Sequence, residues 1–322
     1  MPIQTQVTNI LKIDHPVVQG AMQWISLPAL VASVSEAGGL GVLAAATYPD
    51  KEALRTAIRE TKSLTPKPFA LNVSIFPSLN VPDYHGYFAA ALDEGVRIIE
   101  TSGRAPVEYI DFLKKNGAVV MHKCTTVKHA LKAESIGCDL VVIDGFEGGG
   151  HPGESDIGSI VLAARAAESL DIPFIACGGF SNGRGLAAAL MLGAGAITMG
   201  TRFLATKECP ILPQIKKFVA GPDCTEHDTM LVMRKYRNTA RVYANATAKE
   251  ALRRENAGKP FGDVASLVSG QRGRKMVFES GDLADGLLSM GLSAGLVHDI
   301  IPVRELIERT VREAITVMKK YA

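Results

Sequence analysis

The chain has 322 residues, 47% of them hydrophobic, with a formal net charge of +2. That length suits one α/β barrel of about 250 residues plus an addition, and the near-neutral charge gives no electrostatic reason to expect nucleic acid or an anionic membrane as partner. No apolar run reaches the ~18 residues of a bilayer span, and the longest candidate, around Leu186 to Met199, is broken by Gly193 and Gly195.

From the N-terminus, Met1-Pro-Ile-Gln-Thr5 lacks the basic and apolar regions of a signal peptide. His15 to Gly20 reads as a short apolar strand, and Leu27 to Ala37 as a helix stopped by Gly38-Gly39. Leu40 to Leu43 is a second strand, and Asp50 to Lys62 an amphipathic helix opened by an Asp N-cap. Pro68 to Ser74 is a third strand, followed by a looser stretch with Pro77 and Pro82. The alternation continues with helix Tyr84 to Glu94, strand Val96 to Glu100, helix Pro106 to Asn116, strand Ala118 to Lys123 and helix Thr126 to Ile136. Strand Leu140 to Ile143 then enters the glycine-rich run Asp144-Gly-Phe-Glu-Gly-Gly-Gly-His-Pro-Gly153. Helix Ser155 to Leu170, strand Pro173 to Ala176, helix Gly183 to Leu192 and strand Ala196 to Met199 follow.

About eight strand and helix repeats in roughly two hundred residues predict an α/β fold of the (β/α)8 TIM barrel type over 1–205. Helical spacing continues at Pro210 to Ala220, Met230 to Arg241, Ala246 to Glu255, Gly286 to Leu296 and Val303 to Lys320. Residues 206–322 are therefore expected to form a helical addition that covers one barrel face and completes the substrate site. Such an addition is compatible with a homodimer. The five scattered cysteines, Cys124, Cys138, Cys177, Cys209 and Cys224, contain no Cys-x-x-Cys pair and fit a reducing cytoplasm better than a disulfide frame or a zinc site.

Barrel sites lie where strands end at their C-termini. Collected there are Gly20-Ala21-Met22-Gln23-Trp24, Asn72, Lys123, the loop of His151, Cys177-Gly178-Gly179-Phe180 and Gly200-Thr201-Arg202. The turns after the seventh and eighth strands suit a phosphate, because paired glycines can aim backbone amides at an anion and Thr201 adds a hydroxyl. Asn72 can pair with an imide-like edge, and Lys123 can hold negative charge developing on a reduced ring. A phosphorylated planar cofactor accounts for both, and FMN is the natural candidate. The triple glycine Gly148-Gly-Gly150 leaves room for close approach of a ligand or forms a plain turn.

The motifs Gln19-Gly-Ala-Met-Gln-Trp24, Glu36-Ala-Gly-Gly-Leu-Gly41, Asp144 to Gly153, Gly178-Gly-Phe-Ser-Asn-Gly183 and Met199-Gly-Thr-Arg-Phe203 resemble the nitronate monooxygenase family, formerly 2-nitropropane dioxygenases, over nearly the whole chain. The resemblance implies an FMN barrel in which Met22 and Gln23 meet the flavin ring, Asn72 and Lys123 its pyrimidine side, and His151 the substrate. It makes Ala21, Met22, Gln23, Asn72, Lys123, Asp144, Gly149, Gly150, Gly178, Gly179, Phe180, Gly200 and Thr201 the expected cofactor contacts, with His151 catalytic, Trp24 and His151 toward substrate, and no metal. Ala21-Met22-Gln23-Trp24 departs from the Ala-Pro-Met run of nitronate-oxidising members. With Arg237-Asn-Thr-Ala-Arg241 and Ser269-Gly-Gln-Arg-Gly-Arg274 it resembles a sister group that includes NADH:quinone reductases. The FMN-dependent enoyl-acyl carrier protein reductases share the Gly-Gly-His loop.

The expected activity is oxidation of alkyl nitronates with O2 to carbonyl compounds and nitrite. NAD(P)H:quinone reduction on the same barrel is the alternative, with NAD(P)H as co-substrate, and enoyl-acyl carrier protein reduction stands third. Schiff-base aldol or isomerase chemistry at Lys123 is a rival outside redox chemistry. Arg234, Arg237 and Arg241, at helical spacing, either meet dinucleotide phosphates or form a solvated, paired face.

Overall fold

Non-alternating apolar runs bounded by polar strand exits are what a parallel sheet buried on both faces requires, and the computed structural model folds them that way. It describes residues 3–76 and 82–321, so Pro77 lies outside the described residues. The strands are β1 (Val17–Gln19), β2 (Gly41–Ala44), β3 (Phe69–Ile75), β4 (Ile98–Gly103), β5 (Val119–Cys124), β6 (Leu140–Asp144), β7 (Phe174–Cys177) and β8 (Ala196–Met199). All pair in parallel in the order β1-β8-β7-β6-β5-β4-β3-β2. A bridge between Val18 and Leu40 closes the ring, making the expected eight-stranded barrel.

Sequence reading gave no element before His15, yet a first helix, α1 (Gln6–Leu11), is present, capped by Thr5 and ended by Lys12 in the left-handed region. Its Val7 and Leu11, both fully buried, pack with Val18, Val42, Met121, Leu140 and Ile175 in the barrel interior. Val7 also sits where a side chain on Gly195, just before β8, would collide with it, so α1 plugs the end of the barrel where the strands begin. Burying an aliphatic side chain of this size stabilises by about 2 kcal/mol.

Seven connecting helices cover the outside: α2 (Pro28–Glu36), α3 (Lys51–Leu64), α4 (Tyr84–Asp93), α5 (Ile110–Lys115), α6 (Val127–Ser135), α7 (Ser159–Ser169) and α8 (Gly183–Met191). Asp50 caps α3 as its position suggested, its Oδ1 accepting from the Glu52 and Ala53 amides at 3.0 and 2.9 Å. After β8 come α9 (Thr201–Leu204) and α10 (Pro213–Val219).

The stretch Met230 to Arg241 corrects its helical expectation. It is an antiparallel hairpin of β9 (Thr229–Val232) and β10 (Ala240–Tyr243), and the regular spacing of its arginines comes from the turn between them. Beyond it lie α11 (Ala246–Asn256), α12 (Gly262–Val268), α13 (Gly270–Lys275) and α14 (Val303–Tyr321). Gly286 to Leu296, also expected to be helical, is extended chain and turn with one short 3-10 segment at Leu292–Leu296. The last helix, α14, packs on α8 and α2. Its Thr310 carbonyl lies so near Gly183 that a Cβ there would meet it at 2.4 Å, and Glu313 accepts from the Gly183 amide at 2.8 Å. The outer ring is thus completed by α14, while residues 206–302 supply the cover over the strand ends.

Candidate active site

The strand ends open into a cleft of about 730 Å³ whose walls include the β1 loop, the β6 loop and, from the cover, Arg237 to Thr239, α13 and Leu287 to Ser289. Of the strand-end residues collected from the sequence, Gly20 to Trp24, Asn72, Lys123, His151, Cys177 to Phe180, Gly200 and Thr201 line this one cleft, whereas Arg202 turns away to Asp299. Its floor is charged. Glu100, the third residue of β4, has no exposed surface and accepts from Asn72 Nδ2 at 2.6 Å. Met121, its register partner on β5, points into the barrel, and Lys123 two residues on points the same way. Burial alone disfavours the Lys123 ammonium, but the charge of Glu100 above all outweighs that and raises its pKa above the ordinary lysine value. A lysine held protonated is a poor Schiff-base nucleophile, which weakens the aldol reading and leaves Lys123 as a fixed positive charge.

Asp144, 6% exposed, is pushed up by burial and opposed by Lys123. Its Oδ1, Glu100 Oε1 and Thr198 Oγ1 are buried and have no hydrogen-bond partner among the described residues. Leaving such groups unpaired costs on the order of 1–3 kcal/mol each, so the floor is built for a ligand that offers both donors and acceptors. Asn72 is more committed than expected, because its Oδ1 also accepts from Ser74 at 3.1 Å. One N–H and one lone pair remain for a ligand edge.

Beside the floor, Gly178 and Gly179 both have positive φ, +89° and +82°, and a side chain on Gly178 would strike the Gly145 backbone at 2.8 Å. Only glycine makes this turn. Ser159 braces it, its hydroxyl donating to the Gly178 carbonyl at 2.6 Å while Glu147 accepts from the Ser159 amide at 2.9 Å. Gly200 differs, since a Cβ there would meet nothing within 4 Å and would project into open space. The Thr201 hydroxyl already accepts from the Gly291 amide at 2.9 Å and keeps its own hydrogen to donate. Orphan oxygens, a protonated lysine and glycine turns with free backbone are a donor set that fits FMN.

The triple glycine is explained by the chain itself. A Cβ on Gly149 would lie 2.7 Å from the Gly291 nitrogen, and Gly150, at φ +82°, exchanges both backbone hydrogen bonds with Arg241 of β10 at 3.0 and 2.7 Å. Arg241 is 4% exposed and lies over the Phe146 ring at 4.4 Å, donating to the Phe146 carbonyl through Nε and Nη2. These contacts hold His151 at the mouth of the cleft. Its ring is exposed there, tilted against Phe76 with centroids 5.9 Å apart, yet protein crowds it enough that desolvation lowers its pKa, with Glu154 opposing. His151 is therefore mainly neutral at pH 7 and able to accept a proton.

On the opposite wall, Gln23 lines the cleft and donates to the Ala46 carbonyl at 2.9 Å. Trp24 adopts φ +69°, fixed by its amide donating to Thr47 Oγ1, and packs under Arg274. Gln19, a residue the sequence reading passed over as a site residue, is fully buried and holds this loop through Ser26 and the Val42 amide. Glu100 was also passed over. A lone acid ending an apolar strand looks like a strand exit until its neighbours on β3 and β5 are known.

The model of the nitronate monooxygenase family matches residues 4–313. The chain belongs to the nitronate monooxygenase family. A 5-hydroxy-7a-methyl-1-oxo-octahydro-1H-indene-4-carboxyl-CoA dehydrogenase of Mycobacterium tuberculosis is 32% identical over 98% of this chain and 97% of that protein. Its namesake from Rhodococcus jostii is 41% identical over 66% of this chain, an alignment that spans 59% of the relative. Among solved structures, FabK from Thermotoga maritima superposes with TM-score 0.92 at 35% identity, covering 99% of this chain and 98% of that one. A nitronate monooxygenase family barrel with such relatives is an oxidoreductase.

Proposed function

We propose that this chain is an FMN-dependent oxidoreductase acting on a carbon acid, with an acyl thioester of the coenzyme A or carrier-protein type as substrate. The observation that carries the reading is the pairing of a neutral imidazole at the cleft mouth, His151, with a buried positive charge at its floor, Lys123. FMN, when bound, supplies the two-electron exchange. His151 is placed to take the proton from the carbon next to an electron-withdrawing carbonyl, or to return one in the reducing direction. Lys123 offsets negative charge that accumulates on the cofactor side, and the glycine turns at 178–179 and 200–201 offer backbone amides to the phosphate. The cover residues 237–239 and 287–289 exclude water from the wall opposite the β1 loop.

The thioester choice draws support from the full-length likeness to a carboxyl-CoA dehydrogenase. Nitronate oxidation stands as the second reading, favoured by the family match, since a nitroalkane is a carbon acid of the same kind. Purified protein showing a flavin absorption band, mixed anaerobically with saturated and unsaturated acyl-CoA esters with and without NADH, tests the first. Oxygen uptake and nitrite release with alkyl nitronates test the second, and anaerobic bleaching by NADH followed by quinone turnover tests the reductase alternative. For whichever substrate is used, His151→Ala is expected to lower kcat/KM by about 10²- to 10⁴-fold. Because the base must be neutral and burial lowers its pKa, wild-type activity should be flat above pH 6.5 and fall only on the acid side of that value. A profile rising through pH 8 removes His151 as the base.

A further inference from the structure

Among the described residues, one arginine on the cleft wall has no side-chain partner. Of the three in the hairpin, Arg234 is bound to Asp156 at 2.5 Å and Arg241 is spent on Phe146 and Thr229. Arg237, between them, lines the cleft, is exposed, and makes no ion pair or side-chain hydrogen bond among the described residues. Its backbone is left-handed, φ +54°, and so is that of Met233, φ +64°, a conformation costing a non-glycine residue about 1 kcal/mol or more. The turn is nonetheless held hard. Glu255, 2% exposed, accepts from the Met233 and Lys235 amides at 2.8 and 2.7 Å, and Glu154 accepts from the Thr239 amide and hydroxyl at 3.0 and 2.6 Å. The second anchor belongs to the His151 loop, so the position of Arg237 is tied to that of the base. Arg274, on α13 and also lining the cleft, lies over Trp24 at 5.8 Å and has only an exposed partner, Glu279, at 3.1 Å. The nearby acids Glu147 and Glu154 are already engaged, which leaves the rim positive.

We propose that Arg237 and Arg274 form a recognition site for the diphosphate of a nucleotide-bearing cosubstrate, a coenzyme A thioester or a nicotinamide dinucleotide. Guanidinium groups suit this ligand because their planar donor forks match phosphate oxygens two at a time. The inference rests on the oxidoreductase reading only in supposing that such a cosubstrate is used. Strain in the Arg237 turn then has a use, because it presents a side chain at a fixed distance from the imidazole.

Trp24 is the single tryptophan of the chain and lies beneath Arg274, so its fluorescence reports binding without turnover. The flavin-loaded protein is titrated with coenzyme A, with ADP-ribose and with pantetheine, which lacks the diphosphate, and calorimetry serves as a second readout. Expected is that coenzyme A or ADP-ribose binds roughly tenfold or more tightly than pantetheine, weakening as salt rises. The preference between the two names the source of the diphosphate. Arg237→Gln and Arg274→Gln should each weaken that binding roughly three- to tenfold with FMN content unchanged, and Arg237→Lys should recover part of it. The proposal is overturned if pantetheine binds as well as both diphosphates, if the double variant binds like the wild type, or if the variants lose FMN, which would assign the charges to the cofactor. Since no catalysis is read, failure of the thioester reading and failure of this site give different results.

Discussion

Glu100 shows how much of the site depends on one carboxylate. It is fully buried, bound on one oxygen by Asn72 and unpaired on the other, and it is the first of the groups that keep Lys123 charged. Removing it leaves a buried ammonium with less compensation, so Glu100→Ala should destabilise the fold by about 3 kcal/mol in chemical denaturation. Adding Lys123→Met to that variant should restore part of the loss, whereas additive losses would show that the two side chains do not interact. His122 offers a separate test. It is 2% exposed, shares a 2.8 Å hydrogen bond with Thr101, and burial, with His129 adding, lowers its pKa from 6.5 to about 4. A lowered value means the unfolded chain binds the proton more readily. The stabilisation is therefore complete above pH 6.5 and is lost as pH falls toward 4, to a total of about 3 kcal/mol. His122→Asn, which cannot titrate there, should flatten the melting temperature across that window.

Among the elements, the barrel was legible and the hairpin was not, for one physical reason. Buried parallel strands carry their signature within themselves, as runs such as Leu140 to Asp144 show, all five residues buried. Strands β9 and β10 have four residues each, and what stabilises them lies far off in sequence, in the bridges of Gly150 to Arg241 and Ser289 to Val242. Local periodicity of three arginines therefore suggested a helix that tertiary pairing overrode. The same pairing distinguishes the glycines of the site. Gly149→Ala would press a methyl group against the Gly291 and Met290 backbone at 2.7 to 2.8 Å, and is expected to lower stability by roughly 2 kcal/mol or more, read as a fall in melting temperature. Gly200→Ala, with nothing within 4 Å, should leave melting of the cofactor-free protein within about 0.5 kcal/mol and cost only flavin affinity. Equal destabilisation by both would mean that the cleft is not open at Gly200.

For the whole molecule, the cover is joined to the barrel by charge as well as by packing. Arg202, 2% exposed just after β8, donates to the Asp299 carboxylate at 2.6 Å and to its carbonyl at 2.9 Å, and Arg309 of α14 binds the same carboxylate at 2.5 Å. Asp299→Asn leaves two facing guanidinium groups without their common anion. Because Asp299 is partly exposed, the expected loss is roughly 2 kcal/mol, seen as one cooperative transition at lower denaturant, while two transitions would show that the cover unfolds by itself. This long-range knot was invisible in the sequence, where Arg202 was grouped with a ligand turn and nothing local ties it to Asp299, 97 residues on.

The paired backbone bonds of Gly150 and Arg241 carry a last consequence, for the route by which substrate enters. The loop bearing His151 behaves as a third strand laid on the edge of the hairpin, and a strand cannot swing out without breaking its ladder. In hydrogen exchange those two amides should be protected together and for as long as the hairpin itself. Traffic into the cleft then passes along the other wall, between Trp24 and α13, where the chain is joined by side chains alone.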